Sequence, residues 1–174
     1  MNRSLKRLDL VHQKLLNTVQ PLELELFMQR PSDTEWSVAE ILQHLYLVEE
    51  RVIKDLTRAL SAEPGRVSFF KRFVPMSIVS LRVRKFQAPK AVKPNDVPRK
   101  DAVVANYNAA RQSLKDLCNS HGSARFRTVV FNHPFLGQID GAATVAFVGY
   151  HEQRHLKQIR EVLKKLGASV SDKL

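Results

Sequence analysis

A chain of 174 residues has the length of one domain, and its composition, 44% hydrophobic and 26% charged, is that of a globular protein with enough apolar residues for a core. The single cysteine, Cys118, excludes an internal disulfide and fits a reducing cytoplasm, while no run of about 18 apolar residues is present to span a membrane. The formal charge of +11 is concentrated: ten Lys/Arg stand against one acid between Arg66 and Lys100, leaving 18 against 16 elsewhere, so the totals do not make the whole chain a nucleic-acid binder.

The N-terminus, basic from Arg3 to Arg7, leads into an amphipathic pattern and not an unbroken apolar run, so no signal peptide is expected. Leu5, Leu8, Val11, His12, Leu15, Leu16 and Val19 recur at helical spacing and predict a first helix over 3–19, interrupted by Pro21. Leu22 to Leu26 alternates like a strand, but no partner strand is evident, so it reads as a short helical continuation or turn. After a loop at 30–35, Ser37 and Glu40 form a capping box behind Trp36. The second helix follows, with the stripe Ile41, His44, Leu45, Val48, Val52, Leu56 and Leu60, and ends before Pro64-Gly65. Its Glu49, Glu50 and Lys54 read as a charged outer face.

Residues 66–86 mix aromatics, aliphatics and positive charge, and predict one or two helices broken near Pro75. Pro89, Pro94 and Pro98 mark 87–99 as an extended crossover within a single domain spanning 1–174. The third helix runs from about Arg99 to Asn119 on Val103, Tyr107, Ala110, Leu114 and Leu117, with His121-Gly122 as its stop. Residues 123–139 read as irregular. Asp140 is the expected N-cap of the fourth helix, whose stripe is Thr144, Phe147, Val148, His151, His155, Ile159, Val162 and Leu166 and whose end is Gly167.

Three histidines therefore lie on inner stripes: His44, His151 and His155. Any one alone reads best as a satisfied core histidine. Three together are costly to bury without partners, and a single divalent metal would satisfy all of them. His151 and His155 stand one helical turn apart, so their imidazoles can share an ion. Three neutral nitrogens leave an open coordination position, the catalytic arrangement, and suit zinc, nickel, iron or manganese.

Residues 151–155 also match H-E-x-x-H, in which the glutamate is a general base. The extended protease form fails, because Gln158 stands where glycine is needed and Glu161 where histidine is needed. Glu152-x-x-His155 matches half of a di-iron motif, but no second E-x-x-H is present. His133, in the loop before the fourth helix, is either an ordinary loop residue or part of the pocket. His12 and His121 read as surface or helix-end residues, and Cys118 as a small core residue. The basic stretch 66–100 is either a solvated face or a surface for nucleic acid or anionic membrane.

Arg30-Pro31, Trp36-Ser37-x-x-Glu40-Ile41-x-x-His44-Leu45, His133-Pro134-x-x-Gly137 and His151-Glu152-x-x-His155-x-x-Gln158-Ile159 together resemble the DinB/YfiT-like superfamily over nearly the whole chain. The resemblance implies an all-α, up-down-down-up four-helix bundle with a long crossover between the second and third helices. It implies a metal held by His44, His151 and His155, a homodimer, and a small-molecule substrate. Some members resemble S-transferases of low-molecular-weight thiols. The expected enzyme activates a thiol or water as nucleophile, with thiol transfer ahead of hydrolysis and with Glu152 or His133 as the candidate catalytic groups. A non-enzymatic metal-binding helical module is the rival reading, and binding of polyanions through the basic insert is another.

Overall fold

The computed structural model describes residues 1–65, 76–81, 88–133 and 136–168. Two of the four long helices begin where the sequence places a start signal. Ser37 Oγ accepts from the Glu40 N–H and Glu40 Oε2 from the Ser37 N–H at 2.9 Å, which opens α3 (Val38–Leu60). Asp140 Oδ1 accepts from the Ala143 N–H at 2.8 Å and opens α5 (Gly141–Lys165). The other long helices are α1 (Asn2–Val19) and α4 (Lys100–Phe126), and the alternating Leu22–Leu26 segment leads into a short helix, α2 (Leu24–Met28). Within the crossover, Lys90–Val92 makes a 3-10 turn that buries Val92.

Side-chain pairs fix the direction of every helix. His12 meets Asn108 while Asp9 meets Lys115, so α1 and α4 are antiparallel. Glu49 meets Arg111 and the Leu60 carbonyl meets Arg125, so α3 and α4 are parallel. Arg7 lies over Tyr150, and Leu15, Leu16 and Val19 share a cluster with Ile159, Val162 and Leu163, so α1 and α5 are parallel. The result is an up-down-down-up bundle, as the resemblance implies.

Two regions depart from expectation. The stretch read as irregular holds an antiparallel hairpin of β1 (Val130–His133) and β2 (Gly137–Asp140), with Val130 opposite Asp140 and His133 opposite Gly137. Gly122 does break α4, with φ 70° and ψ 165°, but helical turns resume beyond it to Phe126. The helix resumes because Phe126 is fully buried beside Val129 and Val145. At Gly141 the packing leaves no room for a side chain: a Cβ would stand 2.5 Å from Val129 Cγ2 and 2.7 Å from the Phe126 carbonyl oxygen. The helical segments expected around Pro75 fall at residues outside those described.

The core is two apolar clusters with a polar layer between them. One gathers Leu15, Phe27, Leu45, Tyr107 and Leu156; the other gathers Leu8, Leu56, Leu114, Phe126 and Val148. Between them each long helix contributes one polar residue: His12, Glu49, Arg111 and Glu152. Glu49 and Glu152 are each 1% exposed and Arg111 is 3% exposed. Arg111 donates to Glu49 Oε1 at 2.7 Å and Oε2 at 3.0 Å, to the Leu8 carbonyl at 2.9 Å, and to Glu152 Oε1. The Tyr107 hydroxyl also donates to Glu152 Oε1, and His12 stacks on the Tyr107 ring with centroids 4.5 Å apart.

Two sequence readings are corrected here. Glu49 is not on the outer face, and His12 is not a surface residue; both turn inward because Arg111 supplies a charge that makes a polar interior tenable. Burial pushes the Glu49 carboxyl up to about 7, with Arg111 pulling it down and Glu152 adding to the rise. Burial also works against Glu152, but there the Arg111 charge, with His12 and Tyr107, prevails and holds the carboxyl below its ordinary value.

Arg111→Ala leaves two buried carboxylates without their cation, and should lower unfolding free energy by about 3–5 kcal/mol in urea titrations. Glu49→Gln tests the titration. With its folded pKa above the unfolded one, Glu49 holds a proton that the unfolded chain releases between about pH 4.5 and 7. Its contribution is present at the acid end and is lost as pH rises through 7. The wild type should therefore lose thermal stability relative to Glu49→Gln between about pH 4.5 and 7, by at most about 1.4 kcal/mol per pH unit.

Candidate metal centre

The inner stripes of two antiparallel helices bring the three histidines together. His44 Nε2 lies 3.4 Å from His151 Nε2, which lies 3.1 Å from His155 Nε2, and all three ligand atoms fall within 4.8 Å of one another. Two imidazole nitrogens bound to one tetrahedral zinc at about 2.0–2.1 Å would stand roughly 3.3 Å apart. The donor set thus fits a divalent ion.

The surrounding contacts orient the rings. His44 Nδ1 donates to the Val92 carbonyl at 2.7 Å, which leaves Nε2 with its lone pair toward the cluster. His155 Nδ1 is 2.9 Å from Gln158 Oε1, and donation there frees its Nε2 in the same way. Trp36 flanks His44 with ring centroids 5.2 Å apart, and Phe147 stacks on His151 at 5.3 Å. Trp36, in front of the capping box, therefore shields a histidine as well as starting a helix.

All three rings favour the neutral state. Burial lowers the pKa of His44, against the pull of the Val92 carbonyl. Burial again dominates at His151 and His155, holding each well below the ordinary imidazole value, and the neighbouring histidines lower both further. Neutral imidazoles with lone pairs aimed at one point are ligands for a cation and poor cations themselves.

Glu152 and His133, the candidate catalytic groups, are not among the three converging rings. Glu152 follows His151, but the helical step turns it into the polar layer, where Tyr107 and Arg111 hold one oxygen and the other is buried with no hydrogen-bond partner. His133 ends β1; its Nδ1 accepts from the Leu136 N–H at 3.2 Å, and its ring meets Phe147 edge-on at 4.6 Å. Phe147 thus touches both His133 and His151. Sequence reasoning did not name Val92, and named Gln158 without giving it a role. A backbone acceptor leaves no signature, whereas Gln158 stands three residues after His155 on the same helical face.

Residues 7–159 match the DinB superfamily. The chain belongs to the DinB superfamily. Among relatives, this DinB chain is 27% identical over 151 residues to the uncharacterized protein YuaE of Bacillus subtilis (strain 168), covering 86% of this chain and 91% of YuaE. Two solved structures share the DinB fold. One is YfiT from Bacillus subtilis, described as a probable metal-dependent hydrolase with an unusual four-helix bundle topology; it has a TM-score of 0.66 and 17% identity, over 97% of this chain and 88% of YfiT. The other is TT2238, a four-helix bundle protein, with a TM-score of 0.62 and 19% identity, over 92% of this chain and 98% of TT2238.

If the cluster binds zinc, an ion at about a hundredfold excess over its Kd should stabilise the fold by about 2.7 kcal/mol, seen as a rise in thermal midpoint. His155→Ala should abolish the rise, and a midpoint equally raised in that variant would place the ion elsewhere.

Proposed function

We propose that this DinB-superfamily protein is a metal-dependent enzyme in which His44, His151 and His155 hold a divalent ion. The observation that carries the reading is the convergence of three Nε2 atoms at 3.1 and 3.4 Å, with two of the rings turned by hydrogen bonds at their far nitrogens. Zinc, nickel, iron and manganese all suit the donor set. Such an ion supplies a Lewis acid that makes a thiol or a water nucleophilic near neutral pH.

The chain's own residues fix, shield and adjust the site. Val92 and Gln158 hold the rings of His44 and His155. Trp36 and Phe147 exclude water from two sides. Burial lowers the pKa of His133 and so favours its neutral form, making it the candidate proton acceptor. Glu152 acts through position: its contacts with Tyr107 and Arg111 set the rotation of α5, and with it the aim of His151 and His155.

The resemblance to thiol S-transferases favours a low-molecular-weight thiol as one substrate, in a cytoplasmic homodimer. Hydrolysis is the second reading, supported by the description of YfiT, which shares the fold. No helix among the described residues is long and apolar enough to cross a membrane. Six of the ten cations of the basic insert lie outside the described residues, so polyanion binding there stays an alternative resting on sequence alone.

Metal analysis of protein purified without a histidine tag should find about one divalent ion per chain, lost in His151→Ala. The metal-loaded protein should then consume a thiol in the presence of an electrophile, or hydrolyse an ester or amide, and His44→Ala should remove either activity. A wild type that retains none of the four metals after dialysis, with unchanged stability, would falsify the proposal.

A further inference from the structure

A groove of about 480 Å³ lies between α1 and α5. Its walls are positive: Arg3, Lys6, Arg7 and Lys14 come from α1, Lys157 and Arg160 from α5, and among the described residues no acidic one lines it. Val11 and Leu156, both buried, form the floor. The cations of α1 return to one side turn by turn and extend over roughly 16 Å of helix, at 1.5 Å per residue. On α5, helical steps of about 100° put Leu156, Lys157 and Arg160 about half a turn from His151 and His155. The groove is therefore separate from the histidine cluster.

Lys14 is already partnered. Arg3, Lys6 and Arg160 make no ion pair with any described residue. Arg7 lies over the Tyr150 ring, 4.3 Å from its centroid, with its stem against Gly149. Lys157 Nζ donates to the Ser80 carbonyl at 3.3 Å. Arg160 Nε is buried with no hydrogen-bond partner. Arg3, Lys6 and Lys157 are exposed, but all six cations border one concavity, and within it Arg160 supplies a buried donor with no hydrogen-bond partner.

The lining narrows the ligand. Even without Lys14, five positive charges exceed what one carboxylate can balance, so the occupant carries several negative charges. Guanidinium forks match phosphate oxygens in pairs. The volume is that of a small-molecule site. Among the described residues no aromatic side chain lines the groove to stack a nucleobase, which disfavours single-stranded nucleic acid. A second copy of the same basic face would be repelled. We propose that the α1–α5 groove binds a small, multiply phosphorylated molecule, with Arg3, Arg7 and Arg160 as its main phosphate contacts.

Inorganic trimetaphosphate is a suitable probe, titrated calorimetrically at about 50 mM salt, where phosphate contacts are strong. Saturable one-site binding is expected, weakened at least about tenfold in Arg3→Gln/Arg7→Gln/Arg160→Gln. Because Arg7 packs on α5, Arg3→Gln/Lys6→Gln/Arg160→Gln is a second variant that leaves it in place, and it should show the same loss. Arg51→Gln/Lys54→Gln/Arg58→Gln, an equal change of charge on α3, should leave affinity within about twofold. His151→Ala should bind the probe as the wild type does, so the outcome is independent of the metal site. Absence of saturable binding, equal weakening in the α3 control, or retained affinity in both groove variants would overturn the proposal. Tighter binding of single-stranded oligothymidylate, lost in the groove variants, would replace the small molecule with a nucleic-acid backbone and also overturn it.

Discussion

One guanidinium ties the bundle together. Arg111 on α4 reaches Glu49 on α3, Glu152 on α5 and the Leu8 carbonyl on α1, so a single side chain touches the other three long helices. Apolar contact is non-directional, and a helix that slid by one turn would still present leucines and valines to its neighbours. It would not present a carboxylate to Arg111. The two apolar clusters supply most of the buried area, while the polar layer between them selects one axial register. The cost is electrostatic, since two carboxylates share one cation, and it falls on Glu49, whose carboxyl burial raises furthest toward neutrality.

The histidine cluster inherits that register. His151 adjoins Glu152, so whatever fixes the rotation of α5 about its axis also fixes where His151 points. His44 is one turn or so along α3 from Glu49 and is steadied in the same way. The last adjustment comes from outside the bundle, where the crossover carbonyl of Val92 and the side chain of Gln158 turn two rings to face the third. The rings are thus aimed in two stages, first by helix register and then by individual hydrogen bonds.

Much of this was legible in the sequence because it is local. The Ser37–Glu40 box and the Asp140 cap are contained within four residues, and the histidine stripes follow from helical periodicity alone. The polar layer was not legible, although its residues stand four after stripe positions: Glu49 after Leu45, Arg111 after Tyr107, Glu152 after Val148, His12 after Leu8. Read one helix at a time, each is simply a polar residue at the edge of a stripe. Only the assembled bundle shows that the four face one another. The hairpin at 130–140 was missed for a related reason. Strands of four residues carry too little alternation to register, and their place is set by packing around Phe126, Val129 and Gly141.

The parallel pairing of α1 with α5 has a consequence for the order of folding. Leu8 and Val148 belong to one cluster although about 140 residues separate them. Closing so long a loop is entropically unfavourable, and pairings of this kind form late. The parallel pair α3 and α4, with Arg111 on Glu49, can dock without either end of the chain. Two of the three histidines arrive only with α5. Assembly of the cluster is therefore a terminal event, and an ion seated there would lock a bundle already closed instead of nucleating it.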